Sequence, residues 1–144
     1  MYNIIMLNDY IAFQNLKIYM GDKIQFQNII NKIFKISKKV RFVTIISDSG
    51  KIILSEMKSD KHSLLKKDNE EKFCREVAQR KKMRKEFDKS LGKVRYVNVE
   101  RENISQIVVY GKSKSIFVTV EPELTVDSKA VLVSKIKKIT TSIN

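Results

Sequence analysis

VRFVTIISDSGKIILSEMK, residues 40–58, consists of two β-branched, apolar runs joined at Asp48-Ser49-Gly50. Val40–Ser47 and Lys51–Lys58 have the composition of strands, and Gly50 supplies the positive φ that a tight hairpin loop needs. This predicts a β-hairpin. Phe42, Thr44 and Ile46 alternate with Val43 and Ile45, so neither side of the first strand is strongly polar. A strand apolar on both sides has to be covered on both sides, which implies a sheet between two layers of helix.

The flanking sequence supplies those layers. Upstream, Ile24, Phe26, Ile29, Ile30, Ile33, Phe34 and Ile36 recur mostly at three- and four-residue intervals, predicting an amphipathic helix over residues 22–37 with Asp22 as its cap. Downstream, a polar connector from Ser59 to Lys67 leads to Asp68 and Glu71, spaced as in a capping box. The helix they open is expected to run to Leu91, with Gly92 just beyond its end and lysines crowding its C-terminal half. Three more strands fit Val94–Arg101, Ile104–Tyr110 and Ser115–Glu121, the last closed by Pro122, which cannot donate to a ladder. Ile116, Val118 and Val120 alternate there with Phe117. Asp127 or Ser128 then caps a final helix carrying Val131, Leu132, Ile136, Ile139 and Ile143.

The reading is an α+β domain with element order α-β-β-α-β-β-β-α and a five-stranded antiparallel sheet with helices on both faces. This order resembles the roadblock (dynein light chain) domain, a fold related to longin and profilin domains. The local echo is RFVTIISDSGKII, Arg41–Ile53, which is similar to the first hairpin of such domains. Together with RKEFDKSLGK, Arg84–Lys93, it is also similar to a group of small archaeal proteins. The resemblance covers about residues 22–143, so residues 22–144 are expected to form one domain and residues 1–21 an N-terminal extension or an added helix.

At 144 residues the chain suits one core, and its four glycines and single proline leave no visible linker. One cysteine, Cys74, in a lysine-rich chain points to a reducing compartment, and the cytoplasm is the expected location. The apolar start MYNIIMLNDYIAF is broken by Asn8 and Asp9 and falls short of the roughly 20 apolar residues of a membrane span, so neither signal peptide nor membrane insertion is expected. The net charge of +13 has two candidate sources. One is an anionic partner, because clustered cations gain free energy by releasing counterions from phosphate. The other is the bias of an AT-rich genome, which the excess of Lys over Arg and the abundant Ile and Asn also fit.

Catalysis has little to draw on. His62, the only histidine, lies in the polar connector and is expected to be idle and exposed, while Cys74 follows Phe73 on a helix as a small core residue. No phosphate-binding glycine motif is present, and Ser49-Gly50-Lys51 is explained by the hairpin. Glu70, Glu71 and Glu76 sit near a helix start, where the macrodipole favours them. No catalytic, cofactor-binding or metal-binding residue is assigned, and no cofactor is expected.

The unusual element is the long helix. A stripe from Phe73 runs through Val77, Arg80, Arg84, Phe87 and Leu91, with Met83 beside it. Either the stripe is rotated and the arginines snorkel over the core edge, or this face is an interface in which Arg and Met are anchors. Arg80, Met83, Arg84 and Phe87, with Tyr96 on the following strand, are the interface candidates. Lys81, Lys82, Lys85 and Lys89 form a basic patch. Tyr96, Tyr110 and Phe117 are expected in the core rather than free to stack bases, and no sequence-reading nucleic-acid module is present. Three functions are thus compatible with the residues. The first, which the resemblance implies, is a non-catalytic, homodimeric interaction platform for a partner such as a small GTPase. The others are a basic protein binding nucleic acid without sequence preference, and a profilin-like small-ligand sensor.

Overall fold

Strand β1 (Val40–Ser47) turns at Asp48–Gly50 into β2 (Ile52–Met57), the hairpin expected from residues 40–58. Gly50 has φ +86° and donates its N–H to the Ser47 carbonyl. A Cβ at Gly50 would lie 2.8 Å from the Cα of Arg75, so the turn needs glycine for its conformation and for its close approach to a helix. The structure, a computed structural model, describes residues 2–141.

Five strands form one antiparallel sheet in the order β2-β1-β5-β4-β3, with β3 (Val97–Glu100), β4 (Ser105–Tyr110) and β5 (Lys114–Val120). The hairpin and the meander meet through β1 and β5, leaving β2 and β3 as the two edges. Helices α1 (Tyr2–Ile36) and α4 (Val126–Thr140) cover one face. There Ile29, Ile30 and Ile33 of α1 and Leu132, Val133 and Ile136 of α4 bury Val43, Ile45, Ile107, Ile116, Val118 and Val120. Helix α2 (Lys67–Lys85) covers the other face, packing Cys74 and Val77 over Phe42, Ile46, Val108 and Phe117. The rings of Phe73 and Phe117 are 4.8 Å apart, and Phe42 meets Phe117 edge-on at 6.3 Å. The chain is therefore an α+β domain with helices on both faces of a five-stranded antiparallel sheet.

Several boundaries differ from the sequence reading. Asp22 caps nothing, because α1 is continuous from Tyr2 to Ile36 and passes through Gly21. The second helix is capped by the backbone at Lys66 with no side-chain cap, and Asp68 and Glu70 fall in its first turn. Glu70 accepts a hydrogen bond from the Ser63 hydroxyl, and no reach-back by Glu71 completes a capping box. The helix stops at Lys85 instead of Leu91. Glu86 and Phe87 donate their N–H groups three residues back, and a separate turn, α3 (Asp88–Leu91), follows. No residue after Lys81 in this stretch is buried, so core packing does not sustain a longer helix. Gly92, at φ +83°, ends α3. The final helix is capped by Thr125, whose hydroxyl accepts from the Ser128 N–H, so neither Asp127 nor Ser128 is the cap. Val131 on that helix is exposed, and Ile143 lies outside the described residues.

Candidate interaction face on the second helix and third strand

The buried line of α2 is Cys74, Val77, Ala78 and Lys81, rotated from the stripe drawn through Arg80 and Arg84. Rotation lifts the arginines off the sheet. Arg80 is exposed and Arg84 half-buried, its stem lying over the groove toward β3 and its guanidinium donating to the Tyr110 hydroxyl. Val97, Val99 and Arg101 form the opposite wall of this groove. Met83 and Phe87 are 62% and 59% exposed, Phe87 now in the turn after α2 rather than on it. Tyr96 is not on a strand, since β3 begins at Val97, and at 38% exposure it is not a core residue. Phe117 is buried as expected, and Tyr110 is half-buried.

Beside this face runs an open sheet edge. β3 pairs only with β4, from Val97 opposite Val108 to Glu100 opposite Ser105, leaving its far side without a neighbouring strand among the described residues. The edge is held to the domain by charge. Glu100 accepts from Lys129 at the start of α4, and from Ser105 and Asn98. Lys129, followed by these two hydrogen bonds, holds the Glu100 carboxyl down to about 2.

The basic patch breaks up. Lys81 is 3% exposed, its ammonium donating to Asp48 in the hairpin turn at 2.6 Å and to the Lys114 carbonyl at 3.4 Å. It lies on the buried line of the helix, where a cation has to be paired. Only Lys82, Lys85 and Lys89 of the four are exposed. A different grouping replaces it. A cleft of about 410 Å³ between the end of α2 and the β4–β5 turn is lined by Lys81, Arg84, Lys85, Lys93 and Lys112, with Asp88 the one carboxylate. Sequence spacing gave no hint of it, because Lys93 and Lys112 come from separate connections.

The residues considered for catalysis lie elsewhere. His62 is exposed, and Cys74 is buried against Phe42 and Phe117. Burial pushes the Cys74 thiol up to about 11, with Glu70 adding to the rise, so at neutral pH it is protonated and a poor nucleophile. The apolar cavity lined by Phe42, Phe73, Cys74 and Phe117 has a volume of about 40 Å³, small beside the roughly 300–1,000 Å³ of ligand pockets. Among the described residues, no group of three or more His, Cys, Asp or Glu side chains is placed to hold a metal ion, and no helix is long and apolar enough to cross a membrane.

No curated protein matches the sequence. Solved structures do. The chain is similar to the gliding protein MglB from Thermus thermophilus, at 9% identity over 83% of this chain and 87% of that chain, with a TM-score of 0.68. It is similar to the Roadblock/LC7 domain from Streptomyces avermitilis at 16% identity over 73% and 82%, with a TM-score of 0.56. It is also similar to the Schizosaccharomyces pombe profilin at 10% identity over 74% and 89%, with a TM-score of 0.52. At these identities the likeness establishes the fold, which is the roadblock/profilin-like one implied by the element order. A family model described as "Family of unknown function (DUF6659)" matches residues 22–142, and the chain belongs to that family.

Proposed function

We propose that this protein is a non-catalytic interaction platform that dimerises through α2 and the open edge of β3. The observation that carries the reading is the juxtaposition of an unpaired strand edge with exposed apolar side chains. An open edge presents N–H and C=O groups that a second strand satisfies, and a second copy of β3 is available to do so about a two-fold axis. Met83, Phe87 and Tyr96 then supply the apolar contact, with Arg80 at the rim. The resemblance to roadblock domains suggests a small GTPase or a related assembly as the further protein partner, and an MglB structure with a tetrameric arrangement shows that a protein of this fold self-associates. Lysines on α2 oppose the dimer, so association strengthens as salt screens them. Sedimentation of the wild type and of Met83→Glu at several concentrations and ionic strengths tests this. The wild type should dimerise by about 100 μM in ~0.15 M salt, where the Debye length is ~8 Å, and Met83→Glu should weaken it. A monomeric wild type overturns the reading, and a dimer indifferent to Met83→Glu moves the interface elsewhere.

The basic cleft favours a second reading, association with a polyanion such as nucleic acid without sequence preference. Binding of this kind falls with salt at about 0.9 log units per phosphate neutralised on B-DNA for each log unit of salt. Gel shifts across sequences at physiological salt decide between the two. A tight complex formed alike on unrelated sequences favours this second reading, whereas one that prefers a single sequence overturns both.

A further inference from the structure

We infer that the N-terminal half of α1 is a second self-association element, pairing antiparallel with the same segment of another copy about an axis at Phe13. Its first support is the point along the helix at which burial stops. Phe26, Ile29, Ile30 and Ile33 bury against the sheet. Stepped back by seven residues at a time, the Ile29 position becomes Asp22, Asn15 and Asn8 while the Phe26 position becomes Tyr19, Ala12 and Ile5, and of the described side chains from 6 to 24 none is buried. Large apolar side chains nevertheless continue along this half, and they are exposed. Met6, Tyr10, Phe13, Lys17, Met20 and Ile24 recur at alternating intervals of four and three, the spacing of a coiled-coil seam, with Leu7, Ile11 and Ile18 in the adjoining row. Apart from Lys17 all of these are large apolar residues, and all of those are exposed, from 48% at Ile11 to 69% at Met6. A seam turned away from its own core is built for another helix, because nothing in the domain reaches it.

Charge identifies the occupant as a second copy. Residues 1–21 contain one acid, Asp9, and one base, Lys17, so the whole net charge of +13 resides in residues 22–144. The segment is the part of the molecule where two copies meet without like-charge repulsion. Asp9 and Lys17 are each four residues from Phe13. An antiparallel pair centred on Phe13 sets Asp9 of each copy against Lys17 of the other and Met6 against Met20. A parallel pair in register instead sets Asp9 on Asp9, Lys17 on Lys17 and one cationic domain beside the other. The antiparallel arrangement places those domains at opposite ends of a rod of about 30 Å, at 1.5 Å per residue, well beyond the ~8 Å Debye length at physiological salt. Within one copy the Lys17 ammonium lies 4.8 Å from the centre of the Phe13 ring, so the cation already sits at the seam. A single charged seam position of this kind sets register.

The test uses the full chain carrying Met83→Glu, which silences the face proposed above and keeps the two readings separable. Phe13→Cys should form a disulfide-linked dimer on mild oxidation, because the axis brings the two positions together, whereas Met20→Cys should not; Cys74 is buried and takes no part. In sedimentation, Asp9→Lys should weaken association about tenfold, because it sets like charges opposite each other at two places, and Asp9→Lys with Lys17→Asp should restore it. Equal cross-linking at both positions, none at either, or a charge swap that fails to restore association overturns the proposal. So does flotation of the chain with phosphatidylserine vesicles through this segment without self-association in water, which makes the occupant a membrane surface.

Discussion

Lys81 illustrates how a residue's role depends on a partner remote in sequence. Asp48 is 33 positions away, in the tip of the hairpin, and the two meet because the Gly50 turn lies against α2 at Arg75. The ammonium is almost wholly enclosed, while the Asp48 side chain keeps 46% of its surface in water. Removing the two ends should therefore have unequal effects. Asp48→Ala leaves a buried cation short of its acceptor and should destabilise by about 1–3 kcal/mol. Lys81→Met removes the charge that needed the partner and should cost less. Urea midpoints at constant slope measure both, and equal losses would show that the pair itself, not the stranded charge, sets the cost. At this scale the sequence was least informative. The run RKKMRK reads as a row of similar solvated lysines and arginines, and nothing in it singles out Lys81 as the inward one until the phase of α2 is known. Cys74 and His62 were easier, since one sits among apolar helix neighbours and the other in a polar connector.

Among the elements, β3 is the least anchored strand, paired on one side and tied to α4 through Glu100 and Lys129. The depressed Glu100 value links that tie to pH. In the unfolded chain the carboxyl titrates near its ordinary 4.5, and in the folded protein near 2. The unfolded state thus binds more protons between these values, and the stabilisation is complete above about pH 5 and lost as pH falls from 4.5 toward 2. Glu100→Gln should flatten this part of the stability profile, measured by thermal melts from about pH 2 to 6, and an unchanged slope would assign the acid sensitivity to other carboxylates. The hairpin, β4, β5 and the last helix were legible because alternation, Gly50 and Pro122 mark them locally. The extent of α1 was not, because Gly21 and the candidate cap Asp22 look like a helix start and make the two halves read as separate segments. The end of α2 was hidden for the opposite reason: Phe87 and Leu91 continue the helical spacing although nothing covers them.

For the whole molecule, the two-layered core accounts for the fold without residues 1–19, since the buried part of α1 begins at Phe26. A chain of residues 20–144 should unfold in one cooperative thermal transition close to that of the full chain. Loss of cooperativity would place the N-terminal segment in the core and move the proposed domain boundary. The proposed interaction face was legible only as a list. Arg80, Met83, Arg84, Phe87 and Tyr96 were picked for their types, but which are exposed follows from the rotation of α2 and the late start of β3. The continuity of α1 from its exposed half into its buried half has a consequence for amide hydrogen exchange. In a lone copy, amides before Gly21 exchange by fraying, at nearly zero opening free energy, whereas those beyond Phe26 exchange only when the core opens. A single unbroken helix then carries a steep gradient of protection along its length, and a rise in protection at its N-terminal end with protein concentration reports pairing there directly.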